Sequence, residues 1–166
     1  VPTWGGANFN LFMDGIGLQE QSSIEERNDV LLFTTNPFIE NQVIAGPISL
    51  DLYYKTEGVS TDFTAKLNIV KEDGTSYNIS DGIIRVFPRG KGVQKVSIVL
   101  SPIAVEINKG ERIRLQISSS NFPKYDRNPN TGEDPIEATI LKSVKQTIFH
   151  NEKYPSKITW TTVEEH

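Results

Sequence analysis

Apolar residues recur at every second position through most of this chain, and turn signals break the runs apart. Ile48, Leu50, Leu52 and Tyr54 alternate with Ser49, Asp51 and Tyr53. Phe63, Ala65, Leu67 and Ile69 do the same against Thr64, Lys66 and Asn68, and Ile113, Leu115 and Ile117 against Arg112, Arg114, Gln116 and Ser118. Successive side chains of a strand point to opposite faces, so each run predicts a strand with one face turned to a core. Val30 to Thr35 forms a compact β-prone run closed by Asn36-Pro37, and Val96, Ile98, Leu100 and then Ile103, Val105, Ile107 lead to the turn Asn108-Lys109-Gly110. Asp73-Gly74 supplies the positive φ of a tight reversal and predicts a hairpin. A second Asp-Gly, Asp81-Gly82, precedes Ile83 to Phe87, and residues 88–92 read as a loop on composition. Residues 144–150 and 157–163, the latter with Trp160, complete the set.

Nowhere does spacing at i, i+3, i+4 and i+7 persist over a helical length, and turn signals return about every 10 residues. The expectation is an all-β protein: an antiparallel two-sheet β-sandwich of the jelly-roll, galactose-binding-like kind. Residues 1–28 are Gly-rich, then polar, and read as a connecting arm with room for one short helical turn. Residues 29–166 form the sandwich. A chain of 166 residues can bury roughly 70% of its unfolded surface.

The net charge of -4 opposes the dominant basic surface that nucleic acid or an anionic membrane selects. With no cysteine there is no disulfide, thiolate nucleophile or Cys-based zinc site. Its absence suits the cytoplasm, the favoured setting, without excluding secretion. No apolar run approaches the ~18 residues of a membrane span, and the N-terminus lacks the layout of a signal peptide. The first residue is Val1 rather than methionine, which suits a piece of a longer protein or a processed one.

Residues 118–132 form the most site-like stretch, with three consecutive hydroxyls, two aromatics, two prolines and a cluster of Asn and Asp. Ser118, Ser119 or Ser120 with His150 and Asp126 or Asp134 would make a hydrolytic triad, but the chain has no Gly-x-Ser-x-Gly elbow. His166 is terminal. Asp126, Asn128, Asn130 and Glu137 fall where a calcium loop places ligands, yet Thr131 occupies the required glycine position, Gly132 comes one residue late, and Pro129 and Pro135 break the path. No metal or other cofactor is expected. Arg112 and Arg114 could grip a carboxylate, or face solvent paired with Asp51, Glu106 or Asp62. Trp4, Phe63, Phe122, Tyr125 and Trp160 are the candidates for a sugar-stacking platform, with Phe63 and Trp160 defaulting to core.

The stretch 119–132, Ser-Ser-Asn-Phe-Pro-Lys-Tyr-Asp-Arg-Asn-Pro-Asn-Thr-Gly, resembles the signature loop in the C-terminal sandwich of the cocaine esterase and X-Pro dipeptidyl-peptidase group of serine hydrolases. Residues 27–31, 46–47, 61–67, 81–85, 109–114, 146–150 and 154–156 resemble that group's pattern in order, and residues 1–6 are similar to the segment by which such proteins leave their catalytic domain. The resemblance implies a non-catalytic accessory domain, whose partner is an α/β-hydrolase catalytic domain of the same polypeptide that carries Ser, Asp and His. It gives His150 no catalytic role. In such proteins the sandwich packs on the catalytic domain and can rim its cleft. The implied contact comprises Asp62 and Phe63 with Ser119, Asn121, Phe122, Tyr125, Asp126, Arg127, Asn128 and Asn130. An exposed apolar docking patch on the order of several hundred Å2 is then expected. A stand-alone carbohydrate- or ligand-binding module is the alternative. A homo-oligomer is compatible with either.

Overall fold

The computed structural model of the chain describes residues 18–163; the calls on Trp4, His166 and residues 1–6 lie outside them. One short helix, α1 (Ser22–Glu25), precedes ten strands: β1 (Leu31–Thr34), β2 (Gln42–Thr56), β3 (Thr61–Val70), β4 (Ser76–Val86), β5 (Gln94–Ile107), β6 (Arg112–Ser118), β7 (Gln146–Asn151), β8 (Tyr154–Pro155), β9 (Lys157–Thr159) and β10 (Thr162–Val163). The first sheet has the order β1-β6-β3-β4, all antiparallel. In the second, β2 pairs with β5 on one side and with β7, β9 and β10 in succession along the other. The two sheets pack face to face as the expected sandwich.

The alternation sets the core. Ile48, Leu50, Leu52 and Tyr54 from β2 meet Phe63, Leu67 and Ile69 from β3 and Ile113, Leu115 and Ile117 from β6, all buried. Phe63 lies against Tyr54 with ring centroids 4.7 Å apart, a tilted contact that adds to the area each ring removes from water.

Two local expectations change. The run 157–163 is not one strand: β9 pairs with Ser49 to Asp51 and β10 with Val43 and Ile44, leaving a gap opposite Gly46-Pro47. Pro47 has no N–H to donate, and the β2–β5 register shifts between Gly46 and Ile48, so the neighbouring strand breaks there too. Asp81-Gly82, ahead of the run Ile83 to Phe87, lies inside β4, which begins well before that run. A Cβ at Gly82 would stand 2.4 Å from the Val99 carbonyl oxygen, so the missing side chain lets β4 close onto β5 at the sandwich edge. The Asp73-Gly74 hairpin between β3 and β4 forms as expected, with Gly74 at φ 89°.

β3 departs most from the half-buried expectation, being buried on both faces over its whole length. Its outer face is covered by residues 19–29 and by the loop after β6. The arm is tied down by Gln21 N–H to the Ser76 carbonyl at 2.8 Å and by Asn78 N–H to the Gln19 carbonyl at 3.1 Å.

Candidate functional site

Antiparallel pairing gathers the start of β3, the ends of β4 and β6 and the start of β7 at one end of the sandwich. The long loop from β6 to β7 therefore leaves and returns at this end. Its first half folds back over the outer face of the first sheet. Asn121, buried, donates from Nδ2 to Asp81 Oδ2 at 3.1 Å, and Lys124 Nζ donates to Asp81 Oδ1 at 2.7 Å. Both carboxylate oxygens of Asp81 are thereby engaged, and the cis Phe122-Pro123 bond lies between these two anchors.

The second half is pinned at the start of β3. Asp62, 1% exposed, takes a bidentate pair from Arg85 at 2.7 and 2.8 Å and a third bond from Asn128 Nδ2 at 2.7 Å. The fork of a guanidinium matches a carboxylate in this way, and the extra donor satisfies a remaining lone pair. Asn128 Oδ1 accepts from Ser60 Oγ and from the Asn130 N–H, each at 2.9 Å. Asn130 Nδ2 donates to the Lys142 carbonyl at 2.8 Å, and Asn130 has φ 61°, a left-handed conformation Asn tolerates.

These bonds place each expected site residue. Asp62 and Asn121 are internal braces, and Phe63 belongs to the core, so its ring is not on the outside to touch a partner. Ser119 Oγ donates to Gln146 Oε1 at 2.8 Å. Phe122 and Tyr125 are 42% and 38% exposed, and Asp126 and Arg127 are exposed. Asn128 and Asn130 spend their side chains inside the loop.

The other constellations come apart. Ser118 Oγ is bonded to Thr64 Oγ1 at 2.6 Å, Ser120 Oγ accepts from the Phe122 N–H at 3.3 Å, and His150 stands edge-on to Phe33 with centroids 5.3 Å apart. None of the three serine hydroxyls is bonded to His150. Among the described residues no group of three or more His, Asp or Glu is placed to hold a metal ion. Trp160 packs against the core, so among the described platform aromatics Phe122 and Tyr125 alone face out.

Glu25, Arg85, Asp81 and Lys66 escaped the site reading from sequence. Arg114 pairs with Glu25 of α1 and with none of the acids named for it; Arg112 is exposed. The Glu25 carboxylate also accepts from Ser76 Oγ at 2.6 Å, Asn68 Nδ2 at 3.0 Å and Gln116 Nε2 at 3.0 Å. Burial alone would raise its pKa, but the bonds from Ser76, Gln116 and Asn68 and the Arg114 charge outweigh burial and hold it below the usual 4.5. Lys66, 5% exposed, is pulled down to about 8 by burial, against the attraction of Asp81 and with the repulsion of Lys124 and Arg27.

The distal part of the loop is apolar and bare. Val59, Ile136, Ile140 and Leu141 are 62%, 86%, 67% and 51% exposed. A Cβ at Gly132 would stand 2.9 Å from Val59 Cγ1, and the Lys142 N–H bonds the Pro129 carbonyl at 2.9 Å, which closes the loop segment that carries Ile136, Ile140 and Leu141. Isolated apolar residues in a polar segment without strand alternation were the signal in the sequence.

Comparison with known proteins gives the same architecture. An α-amino acid ester hydrolase matches with TM-score 0.80 and 27% identity over 88% of this chain and 27% of its own. An aminopeptidase from a marine sediment Thaumarchaeota archaeon matches with TM-score 0.79 and 26% identity over 89% of this chain and 28% of its own. Cocaine esterase of Rhodococcus sp. (strain MB1 Bresler) is 38% identical over 143 residues, 80% of this chain and 25% of the esterase. The chain thus spans about a quarter of the length of the relatives it matches. Residues 5–159 match the X-Pro dipeptidyl-peptidase C-terminal non-catalytic domain, and the chain belongs to that family.

Proposed function

We propose that this chain is the accessory domain of a longer serine hydrolase, of acyl-esterase or X-Pro dipeptidyl-peptidase type. It packs on an α/β-hydrolase domain of the same polypeptide and rims that domain's substrate cleft. Residues 1–28 serve as the connecting arm and residues 29–166 as the docking sandwich. The observation that carries this is the exposure of Ile136, Ile140 and Leu141 on a loop held by the Asp62–Arg85–Asn128 bonds, with the exposed Val59 beside Gly132 of that loop. Exposed apolar side chains gain from burial in an interface inside one chain. Tyr125 and Asp126 supply the polar rim with the half-buried Asn128 and Asn130, and Ser119, Phe122 and Arg127 flank it.

The test is ester hydrolysis by the 166-residue chain beside the protein extended through the reading frame upstream of Val1. The chain alone is expected to leave a p-nitrophenyl ester intact and the extended protein to hydrolyse it. Turnover by the chain itself that Ser119→Ala or Ser120→Ala abolishes would overturn the proposal. So would an extended protein lacking a Gly-x-Ser-x-Gly serine.

A further inference from the structure

We infer that the outer face of the first sheet carries an oxyanion-binding site, centred on Lys66 and suited to a carboxylate. A groove of 370 Å3 opens there, between the arm and the loop after β6, and Lys66 forms part of its wall beside Arg27, Arg127, Ser118, Ser120 and Phe122. Lys66 is 5% exposed, and among the described residues its ammonium has neither a hydrogen-bond acceptor nor an ion-pair partner.

Its strand neighbours explain why. Lys66 stands opposite Asp81 on β4 and opposite Gln116 on β6. Asp81 is occupied by Lys124 and Asn121, and Gln116, whose Nε2 donates to Glu25 at 3.0 Å, makes no hydrogen bond to Lys66 through its Oε1. The buried cation is therefore left facing the groove. A buried ammonium without a hydrogen-bond acceptor is costly even with the Asp81 charge nearby, and an anion in the groove would supply the acceptor.

The surroundings have the right sign. The groove is lined by Arg27, Lys66 and Arg127 against a single carboxylate, Asp29. Asp29 is held by Arg27 at 2.6 and 2.8 Å, while Arg127 makes no ion pair among the described residues. Arg127 brings a fork that can take both oxygens of a carboxylate, Lys66 a point charge from below, and Ser120 a hydroxyl at the rim. Burial lowers the Lys66 affinity for its proton, so an arriving anion gains by restoring it.

The site does not depend on the docking proposal. A free small carboxylate and an acidic side chain from elsewhere in the polypeptide share this chemistry. The experiment titrates sodium acetate and inorganic phosphate, at ionic strength fixed with chloride, into the 166-residue chain while following the Lys66 side-chain resonances. Saturable acetate binding in the millimolar range is expected. Acetate should raise the Lys66 pKa, adding to the attraction of Asp81 on β4 and opposing the repulsion of Lys124 from the loop and Arg27 from the segment before β1. Lys66→Met, followed through the Arg127 side-chain resonances instead, should weaken binding about tenfold or more, and the exposed variant Arg127→Gln, followed through Lys66, severalfold. Saturation by phosphate at lower concentration than by acetate would overturn the preference for a carboxylate. Lys66 resonances that respond to neither anion up to ~100 mM would overturn the site itself. In the extended protein, retained acetate binding assigns the site to a free ligand. Loss of acetate binding with a raised Lys66 pKa assigns it to a side chain of the same polypeptide.

Discussion

Two ion pairs of nearly equal length lie on the outer faces of the two sheets. On the first sheet Arg85 binds Asp62 at 2.7 Å, and on the second Lys95 binds Asp51 at 2.8 Å. The Asp62 side chain is 2% exposed and that of Asp51 25%. The arm and the long loop roof the first face, so its polar side chains must find one another: Glu25 with Arg114, Asp81 with Lys124, Asp62 with Arg85 and Asn128. Among the described residues the second face has no such roof, and Val99 on β5 is 70% exposed. Bond length therefore says little about energy, which depends on what a missing partner would leave buried.

Substitutions should separate the two faces. Arg85→Met leaves the Asp62 carboxylate buried with Asn128 as its remaining partner and should cost about 3 kcal/mol in urea unfolding. Lys66→Met acts in the opposite direction, raising stability at pH 7 by about 2 kcal/mol, since it removes a buried cation rather than stranding one. The gain has a predicted pH dependence. The folded pKa of Lys66 lies near 8 against 10.5 unperturbed, so the wild-type penalty is full below 8 and fades as pH rises toward 10.5. A difference between the two proteins that grows above pH 8 would contradict this. Gly82→Ala forces β4 off β5 and should cost about 1–3 kcal/mol by thermal melting.

Glu25→Gln is smaller, about 1 kcal/mol at pH 7, because the amide keeps part of the bonding. Its pH signature is the sharper readout. The folded pKa of Glu25 is depressed below 4.5, so its stabilisation is complete above 4.5 and lost as pH falls through the folded value. The variant should show a shallower acid decline. On the open face Lys95→Met should change stability by about 0.5 kcal/mol or less; a cost equal to that of Arg85→Met would erase the distinction between faces.

The inner faces were legible in the sequence because strand alternation is a local signal: Leu50, Leu67 and Leu115 turn inward as the pattern demands. The roof over β3 was not. Thr64, Lys66 and Asn68 alternate like any solvated face, and what buries them lies far along the chain, with Glu25 separated from Asn68 by 43 residues and Asp81 from Lys124 by 43. Gly82 went unexplained for a related reason, since the nearness of Val99, not local conformation, shows why the glycine is there. The loop of residues 118–132 was recognisable from its residue types, but the division of its side chains was not. Asn121 and Asn128 brace it from within, Arg127 faces the groove, and Ile140 beyond it is bare.

Ile140 and Val99 offer the most direct test of docking, being 67% and 70% exposed at different places on the surface. Each is replaced by Asp in the extended protein, and ester turnover is measured alongside the melting of the sandwich. The account predicts that Ile140→Asp lowers turnover or loosens the sandwich from the remainder of the protein, while Val99→Asp leaves both unchanged. Equal effects, or a larger effect at Val99, would contradict docking through the loop end.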